Sequence, residues 1–264
     1  MAPSPTRSSR LRSSVCSAND SNAVTPRRRV VSPRVVSLVP SATETLLALG
    51  ADVVACTRFC NQPQLPTVGG TKNPDVAAIL SLRPDVVVVD TEENRREDAD
   101  AMRSSGLDLV VTSVRSVADS YDVVGQLAEA SGTVAPALPG RLEVFAGPRR
   151  RAFVPIWRRP WMTINGATYG ASILMSIGIE LVTADFGDEY PTVELADMSA
   201  RGPDIVLVPS EPYSFDDAHL GELARAFPES DVVRVDGEDV FWWGIRTIAA
   251  QSRLLAVLGR SLPR

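Results

Sequence analysis

One pattern in this chain occurs twice, and it constrains the fold more than any other feature. Residues 76–90 read VAAILSLRPDVVVVD, and residues 193–210 read VELADMSARGPDIVLVPS. Each copy predicts a short amphipathic helix, a turn containing Arg and Pro-Asp, and then a strand. The helices must end before Pro84 and Pro203, because proline disfavours the α conformation of the residue before it. The repeat therefore indicates two related lobes.

The strands of the repeat are of the kind that lies inside a parallel sheet. Residues 86–89 and 205–208 are apolar on both faces, as strands covered by helices on both sides should be. Strand and helix patterns alternate along the rest of the chain, which also implies parallel sheets. The other predicted strands are residues 35–39, 53–56, 107–112, 152–157 and 232–235.

Local signals predict where the helices begin and end. Ser41-Ala-Thr-Glu44 is a capping-box sequence that opens a helix, and Gly50 ends it. Asn73-Pro74 suits the N-cap and first turn of the first repeat helix. An apolar stripe from Val117 to Ala128 predicts a helix that joins the lobes by a single crossing, and a final helix is expected over residues 245–258.

The predicted fold class is α/β, with two Rossmann-like lobes whose parallel sheets are joined by a single long linker helix. We divide the chain into a disordered N-terminal extension (1–33), an N-terminal α/β lobe (34–114), a linker helix region (115–147) and a C-terminal α/β lobe (148–264). Residues 1–33 lack the apolar core of a secretory signal. We therefore expect a cytoplasmic protein, or an extracytoplasmic one if translation starts elsewhere.

Composition excludes two classes of partner. No apolar run approaches the ~18 residues that a membrane span needs, so no span is predicted. Residues 35–264 carry 20 basic and 31 acidic side chains. This acidic body lacks the basic face that neutralises nucleic-acid phosphates, and we predict no nucleic-acid partner.

Signals for catalysis are weak. Three cysteines form no disulfide framework, and the redox state of Cys56 and Cys60 stays open. The one histidine, His219, lies beside acids in a helical stretch and is expected at the surface. We predict no catalytic residue, no metal site and no covalently bound cofactor. A hydrolase-type enzyme could use Glu92 or Glu211, since Glu92, Glu93 and Glu211 could face one another as an acid–base pair.

Candidate binding residues follow from the fold, because ligands of parallel sheets lie at the carboxyl ends of the strands. In the first half these ends carry a helix N-terminus at Ser41, whose amides suit an anionic group, and Arg58-Phe59. A run of charges after residue 89 is typical of a solvated helix start. All four tryptophans fall in the second half. The candidate ligand-binding residues are Ser41, Arg58, Phe59, Trp157, Arg158, Trp161, Glu211, Tyr213, Trp242, Trp243 and Arg246.

These residues predict a cleft lined by aromatic rings and arginines. Such a cleft suits a large, flat, partly charged ligand, since rings stack on it and guanidinium groups hold its carboxylate, amide or phosphate groups. The alternative is that the rings only pack the edge of their lobe.

The chain also resembles a known family. The segments RVVSLVPSATETLLALGA and VGGTKNPDVAAILSLRPDVVVVD are similar to the substrate-binding proteins of iron–siderophore, haem and vitamin B12 importers, and most similar to the cobalamin-binding type. The resemblance runs from about Arg34 to Leu258. It implies the class III periplasmic-binding-protein fold, with a metal chelate such as cobalamin, a siderophore or haem held between the lobes. By position, Phe59 and residues 241–246 match cleft regions.

The resemblance further implies docking on an ABC permease through one glutamate in each lobe. The matching positions carry Ala77 and Trp242, so both docking glutamates are absent, although Asp75 or Glu238 could replace them. We predict a monomeric substrate-binding component of an ABC-type importer, or a cytoplasmic relative of one. The alternatives are an intracellular ligand sensor or carrier without a permease, and the enzyme using Glu92 or Glu211.

Overall fold

The structure is a computed structural model that describes residues 32–138 and 145–259. Almost all of the predicted N-terminal extension lies outside the described residues. The N-terminal lobe contains the elements β1 (Arg34–Ser37), α1 (Pro40–Ala48), β2 (Asp52–Cys56), β3 (Gly69–Gly70), β4 (Asn73–Pro74), α2 (Val76–Leu82), β5 (Val86–Asp90), α3 (Arg96–Ser104) and β6 (Leu109–Thr112).

The linker helix and the second lobe follow in the same alternating style. The linker helix is α4 (Val117–Ser131), which Gly132 ends in the left-handed conformation at φ 67°. The C-terminal lobe contains β7 (Arg150–Phe153), β8 (Pro155–Trp157), β9 (Met162–Thr163), α5 (Tyr169–Ser176), β10 (Ile179–Leu181), α6 (Leu195–Ala200), β11 (Ile205–Pro209), α7 (Asp217–Ala226), β12 (Asp231–Val235), α8 (Gly237–Phe241) and α9 (Thr247–Val257).

The two main sheets have the same topology. Their strand orders are β2-β1-β5-β6 and β10-β7-β11-β12, and every pair in them is parallel. In each main sheet, the strand that comes second along the chain lies at one edge, and the first, third and fourth strands follow it across the sheet. The repeat segments α2–β5 and α6–β11 occupy equivalent places. The predicted α/β fold with two related lobes and a linker helix is confirmed; the boundaries of the four predicted segments stay a prediction.

Three local predictions were wrong. The N-cap of α1 is Val39, whose side chain has no polar atom to accept a capping bond; Pro40 occupies the first turn, and Glu44 pairs with Arg246 instead of closing a capping box. Asn73-Pro74 forms a short antiparallel pair with residues 69–70, and Asp75 caps α2 by accepting a hydrogen bond from the Ala78 amide. The strand expected over residues 152–157 is split into β7 and β8.

A continuous apolar core connects the lobes. It includes Val35 and Leu46 of the first lobe, Leu127 of α4, and Ile173 and Leu207 of the second lobe, all of them fully buried. Two further clusters cover the outer faces of the two sheets. None of the helices described here combines the length and the apolar character needed to cross a membrane. The core fixes the carboxyl ends of both sheets next to one another.

A candidate ligand cleft

A cleft of about 360 Å³ lies between the lobes, at the carboxyl ends of both sheets. It opens where β1, β5 and β6 end on one side and where β7 and β11 end on the other. The lining residues are Pro40, Ser41, Lys72, Asp90, Glu92, Glu93, Val114, Ile156, Ile164, Thr168, Tyr169, Gly170, Tyr190, Glu211, Pro212, Phe241, Trp242 and Trp243. This is the place where ligands bind in parallel α/β sheets.

One wall of the cleft is apolar and aromatic. Phe241, Trp242 and Trp243 come from the end of α8 and the turn after it, and Ile164 and Tyr169 flank them. Both indoles are less than one-tenth exposed, so their orientation is set by packing. Rigid aromatic surface of this kind binds flat apolar ligands.

The opposite wall is acidic, and two of its carboxylates are already held by the protein. Asp90 accepts a hydrogen bond from the Thr112 hydroxyl at 2.6 Å and another from the Glu92 amide at 2.8 Å. Glu92 accepts one from the Tyr190 hydroxyl at 2.6 Å and lies 3.6 Å from the Arg115 guanidinium. Both carboxylates are therefore engaged by side chains and backbone of the protein itself.

The other two carboxylates, Glu93 and Glu211, have no ion pair within the residues that the structure describes. Desolvation raises the pKa of Glu211 to about 7, against a hydrogen bond from the Trp242 side chain, and nearby acids including Glu93 raise it further. Glu93 is exposed to solvent on one side and surrounded by protein on the others; the resulting desolvation and the charge of Asp90 raise its pKa, and the charge of Lys72 offsets this only in part. Among the described residues, the cleft therefore holds two acids without an ion pair, one from each lobe.

Close backbone packing positions Glu211. A Cβ on Gly237 would lie 2.4 Å from the Glu211 Cγ and 2.6 Å from its backbone nitrogen, so only glycine allows α8 to begin here. The Gly237 amide donates a hydrogen bond to the Ser210 hydroxyl at 2.9 Å. The start of α8 thus fixes both Glu211 and the indoles that follow it.

Polar contacts connect the two rims of the cleft. The Asn61 amide donates to the Glu238 carboxylate at 3.0 Å, and the Arg246 guanidinium lies 2.8 Å from the Glu44 carboxylate. The bond from Tyr190 to Glu92 also crosses between lobes. Each contact must break if the lobes part.

The predicted aromatic residues divide into two groups. Trp242 and Trp243 line the cleft, as do Ser41 and Glu211. The structure does not place Trp157, Trp161 or Tyr213 there. Their rings pack within the C-terminal lobe instead, Trp157 edge-on to Tyr213 at 5.2 Å and Trp161 stacked on Phe215 at 5.9 Å. For these three rings the alternative, packing at the edge of the lobe, describes the structure.

Phe59 and the predicted arginines also lie outside the lining of the cleft. Phe59 is 49% exposed, and the Arg58 guanidinium lies over its ring at 4.8 Å. Arg158 donates two hydrogen bonds to Glu222, at 3.0 and 2.7 Å. Arg246 is bound by Glu44 and two further acids. Intramolecular carboxylates thus occupy Arg158 and Arg246, and the expectation that these arginines hold anionic groups of a ligand stays a prediction.

Of the acidic wall, sequence reasoning assigned only Glu211 to ligand binding. Asp90, Glu92 and Glu93 belong to the charged run after β5, which the sequence suggested was a solvated helix start. Asp90 could have been found, since it is the last residue of a fully buried strand. Tyr190 lies in a long connection without periodicity, where no sequence signal exists.

The remaining chemistry-bearing residues lie away from the cleft lining. His219 closes a capping box at the start of α7, accepting from the Asp216 amide and donating its own amide to the Asp216 carboxylate. Cys56 and Cys60 are buried free thiols. Hydrogen bonds from Cys56, Thr43 and Thr57 lower the pKa of Cys60 to about 6, and the partnership raises that of Cys56.

Comparison with known proteins agrees with this geometry. Residues 35–137 match a family described as periplasmic binding protein. The vitamin B12-binding protein of Salmonella typhimurium (strain LT2) is 24% identical over 191 residues, which cover 67% of this chain and 72% of that protein. The vitamin B12-binding protein of Vibrio vulnificus (strain CMCP6) is 23% identical over 192 residues, covering 66% and 70%.

Solved structures share the fold over most of the chain. The periplasmic vitamin B12 binding protein BtuF of Vibrio cholerae superposes with a TM-score of 0.70 at 16% identity, covering 86% of this chain and 97% of that one. The periplasmic heme binding protein HutB of Vibrio cholerae gives 0.69 at 21% identity, covering 86% and 98%. The predicted resemblance is confirmed. So is the prediction of a binding protein in place of an enzyme, because the matching family and these relatives are binding proteins.

Proposed function

We propose that this protein binds a metal chelate of the corrinoid class, such as cobalamin, in the cleft between its lobes. The observation that carries the proposal is the indole wall of Trp242 and Trp243, set at the carboxyl ends of two equivalent sheets. A corrin ring offers a broad face that such a wall can contact. The similarity to vitamin B12-binding proteins supports this choice of class.

The size of the cleft constrains how such a ligand enters. About 360 Å³ is near the lower end of the roughly 300–1,000 Å³ that drug-sized ligands occupy, and a corrinoid is larger. The lobes must therefore part, and the contacts of Asn61 and Tyr190 across the rims must break, before the ring can lie between them. The linker helix α4 and the shared core keep that opening small.

The test is a titration of the purified protein with cyanocobalamin, haemin and a ferric siderophore, read by equilibrium dialysis and by tryptophan fluorescence. We expect saturable binding of the corrinoid, weakened at least ~10-fold by Trp242→Ala. Trp157→Ala is the matched control, since this indole is 44% exposed outside the cleft lining, and it should bind as the parent does. Absence of saturable binding of every chelate would overturn the proposal.

We further propose that the protein acts in the cytoplasm as a relative of importer components, without a permease. Two observations support this. The positions matching the docking glutamates carry Ala77 and Trp242. The nearby acids are engaged, Asp75 as the cap of α2 and Glu238 with Arg246. Fractionation of producing cells tests it, and release of the protein by osmotic shock would contradict it.

A further inference from the structure

The charges inside the cleft constrain the ligand beyond its shape. Glu93 of the N-terminal lobe and Glu211 of the C-terminal lobe face one cavity, and neither has an ion pair in the described part of the chain. Lys72, the one cationic side chain of the lining, donates to the backbone carbonyl of Glu92. Two like charges in a partly desolvated cavity disfavour each other. A guest that donates hydrogen bonds to them relieves this repulsion, and an anionic guest adds to it.

The tyrosines of the cleft also argue against haem as the guest. Haem iron is held in proteins by histidine, methionine, a cysteine thiolate or a tyrosine phenolate. The Tyr190 hydroxyl donates to Glu92 and the Tyr169 hydroxyl is bonded to Thr247 at 3.0 Å, and burial raises the pKa of both. Their phenolate forms are therefore disfavoured. The chain's one histidine, His219, caps α7.

We propose that the cleft selects guests whose rim carries hydrogen-bond donors, as amides or cations, and rejects guests whose rim carries carboxylates. The inference rests on the proposed function and narrows it, because porphyrins with carboxylate arms and corrinoids with amide arms both offer a flat ring. Ionised Glu93 and Glu211 can only accept hydrogen bonds. Amide N–H groups can donate to these oxygens, whereas ligand carboxylates offer no donor and add like charge.

The test compares two corrinoids that share one ring. Dicyanocobinamide carries amide arms, and dicyanocobyrinic acid carries carboxylate arms at the same positions. By equilibrium dialysis at about pH 8 we expect the amide compound to bind at least ~10-fold more tightly. The double variant Glu93→Gln/Glu211→Gln should bring the ratio of the two affinities close to one. Glutamine keeps the size of the side chain and can still accept a hydrogen bond.

A charge-matched control separates the local effect from the net charge of the protein. Glu97→Gln/Glu129→Gln removes two exposed acids of α3 and α4, and the affinity ratio of the wild type should persist in it. Equal or tighter binding of the carboxylate compound by the wild type, with the amide compound still bound, would overturn the inference alone. If neither corrinoid binds saturably, the proposed function is wrong and the inference falls with it.

Discussion

Glu211 is a carboxyl group on which two influences act in opposite directions. Its desolvated position favours the neutral acid, while the hydrogen bond from the Trp242 side chain favours the carboxylate. Burial is the larger effect, and the pKa lies near 7. This side chain of the cleft lining therefore changes its charge within the physiological pH range.

This shift predicts how stability depends on pH. Between about pH 4.5 and 7 the folded protein keeps a proton on Glu211 that the unfolded chain has lost, so the free energy of unfolding falls as pH rises. Glu211→Gln removes this decrease in the free energy of unfolding. It should therefore stabilise the protein at pH 8 by about 1–2 kcal/mol, after allowance for partial solvent screening. At pH 4 it should change little. Urea unfolding at both pH values measures this, with Glu97→Gln as the control. An equal gain at both values would refute the assigned pKa.

Residue by residue, the candidate site was only partly predictable from the sequence. Trp242 and Trp243 were identified because indoles at a strand end must bury against something, and here they line the cleft. The same reasoning included Trp157 and Tyr213, which satisfy the requirement with each other on the outside of one lobe. Which neighbour buries a ring is decided by tertiary packing, and that information is not local.

At the scale of elements, the beginning of α8 connects fold and site. Its first residue, Gly237, lies directly against the backbone of Glu211, and its end carries the indole wall. Sequence patterns predicted α2, β5, α6 and β11 well, since their periodicity and their prolines are strong signals. They missed β10, whose three residues are too few to show a period. The helix that matters most to the cleft, α8, has only five residues and gave no signal either.

Gly237→Ala should destabilise the protein and weaken ligand binding together. The new methyl group would approach backbone atoms of Glu211 at 2.6 and 2.8 Å, and backbone cannot rotate away. We expect a loss of about 1–3 kcal/mol in the free energy of unfolding. Gly221→Ala in α7 is the control: its nearest neighbour is the end of a flexible arginine at 3.5 Å, and alanine there should be neutral or stabilising by up to ~1 kcal/mol. Similar effects of the two substitutions on chemical denaturation would refute the steric argument.

A second element-scale feature is the buried polar joint where α4 meets the turn before α9. The Gly244 amide donates to the Ser120 hydroxyl at 2.8 Å, and Ser120 also bonds Thr247 at 2.7 Å. Gly244 has φ 98°, and a Cβ there would lie 2.1 Å from the Thr45 hydroxyl. The turn that carries Trp242 and Trp243 is thus anchored on the linker helix and packs against α1 of the N-terminal lobe.

Ser120→Ala should break this joint. It leaves the buried Gly244 amide without an acceptor, which costs about 1–3 kcal/mol. Ser105→Ala, at the exposed end of α3, is the matched control and should cost less than ~0.5 kcal/mol. Denaturant unfolding measures both variants, and hydrogen exchange of the Gly244 amide should accelerate in Ser120→Ala alone. Unchanged protection of that amide would contradict the proposed anchoring.

At the scale of the whole molecule, the two lobes have separate sheets of the same topology yet share one interior. Each has its own four-stranded sheet, while the main core cluster runs from Val35 through Leu127 to Leu207 without interruption. The repeat made the existence of two lobes predictable. Their mutual placement was not, because it depends on contacts such as Asn61–Glu238, whose partners are 177 residues apart. Sequence periodicity carries no information over such distances.

The shared core predicts that the lobes unfold together. Separate cores would let one lobe melt while the other stays folded, whereas a continuous apolar interior exposes surface of both lobes when either opens. The chain offers a direct test, since its four tryptophans, Trp157, Trp161, Trp242 and Trp243, all lie in the C-terminal half. Tryptophan fluorescence therefore reports on that half, and far-UV circular dichroism reports on both.

We expect the two signals to give one urea midpoint, and Ser120→Ala to lower both midpoints equally. The variant matters because it weakens the contact between α4 and the second lobe without removing core volume. If instead fluorescence changes at lower urea while half of the helical signal persists, the lobes unfold independently. The cleft would then be a surface between two loosely joined domains, and a bulky ligand could enter it without breaking the core, because the rim contacts of Asn61, Tyr190 and Arg246 would be the main resistance to opening.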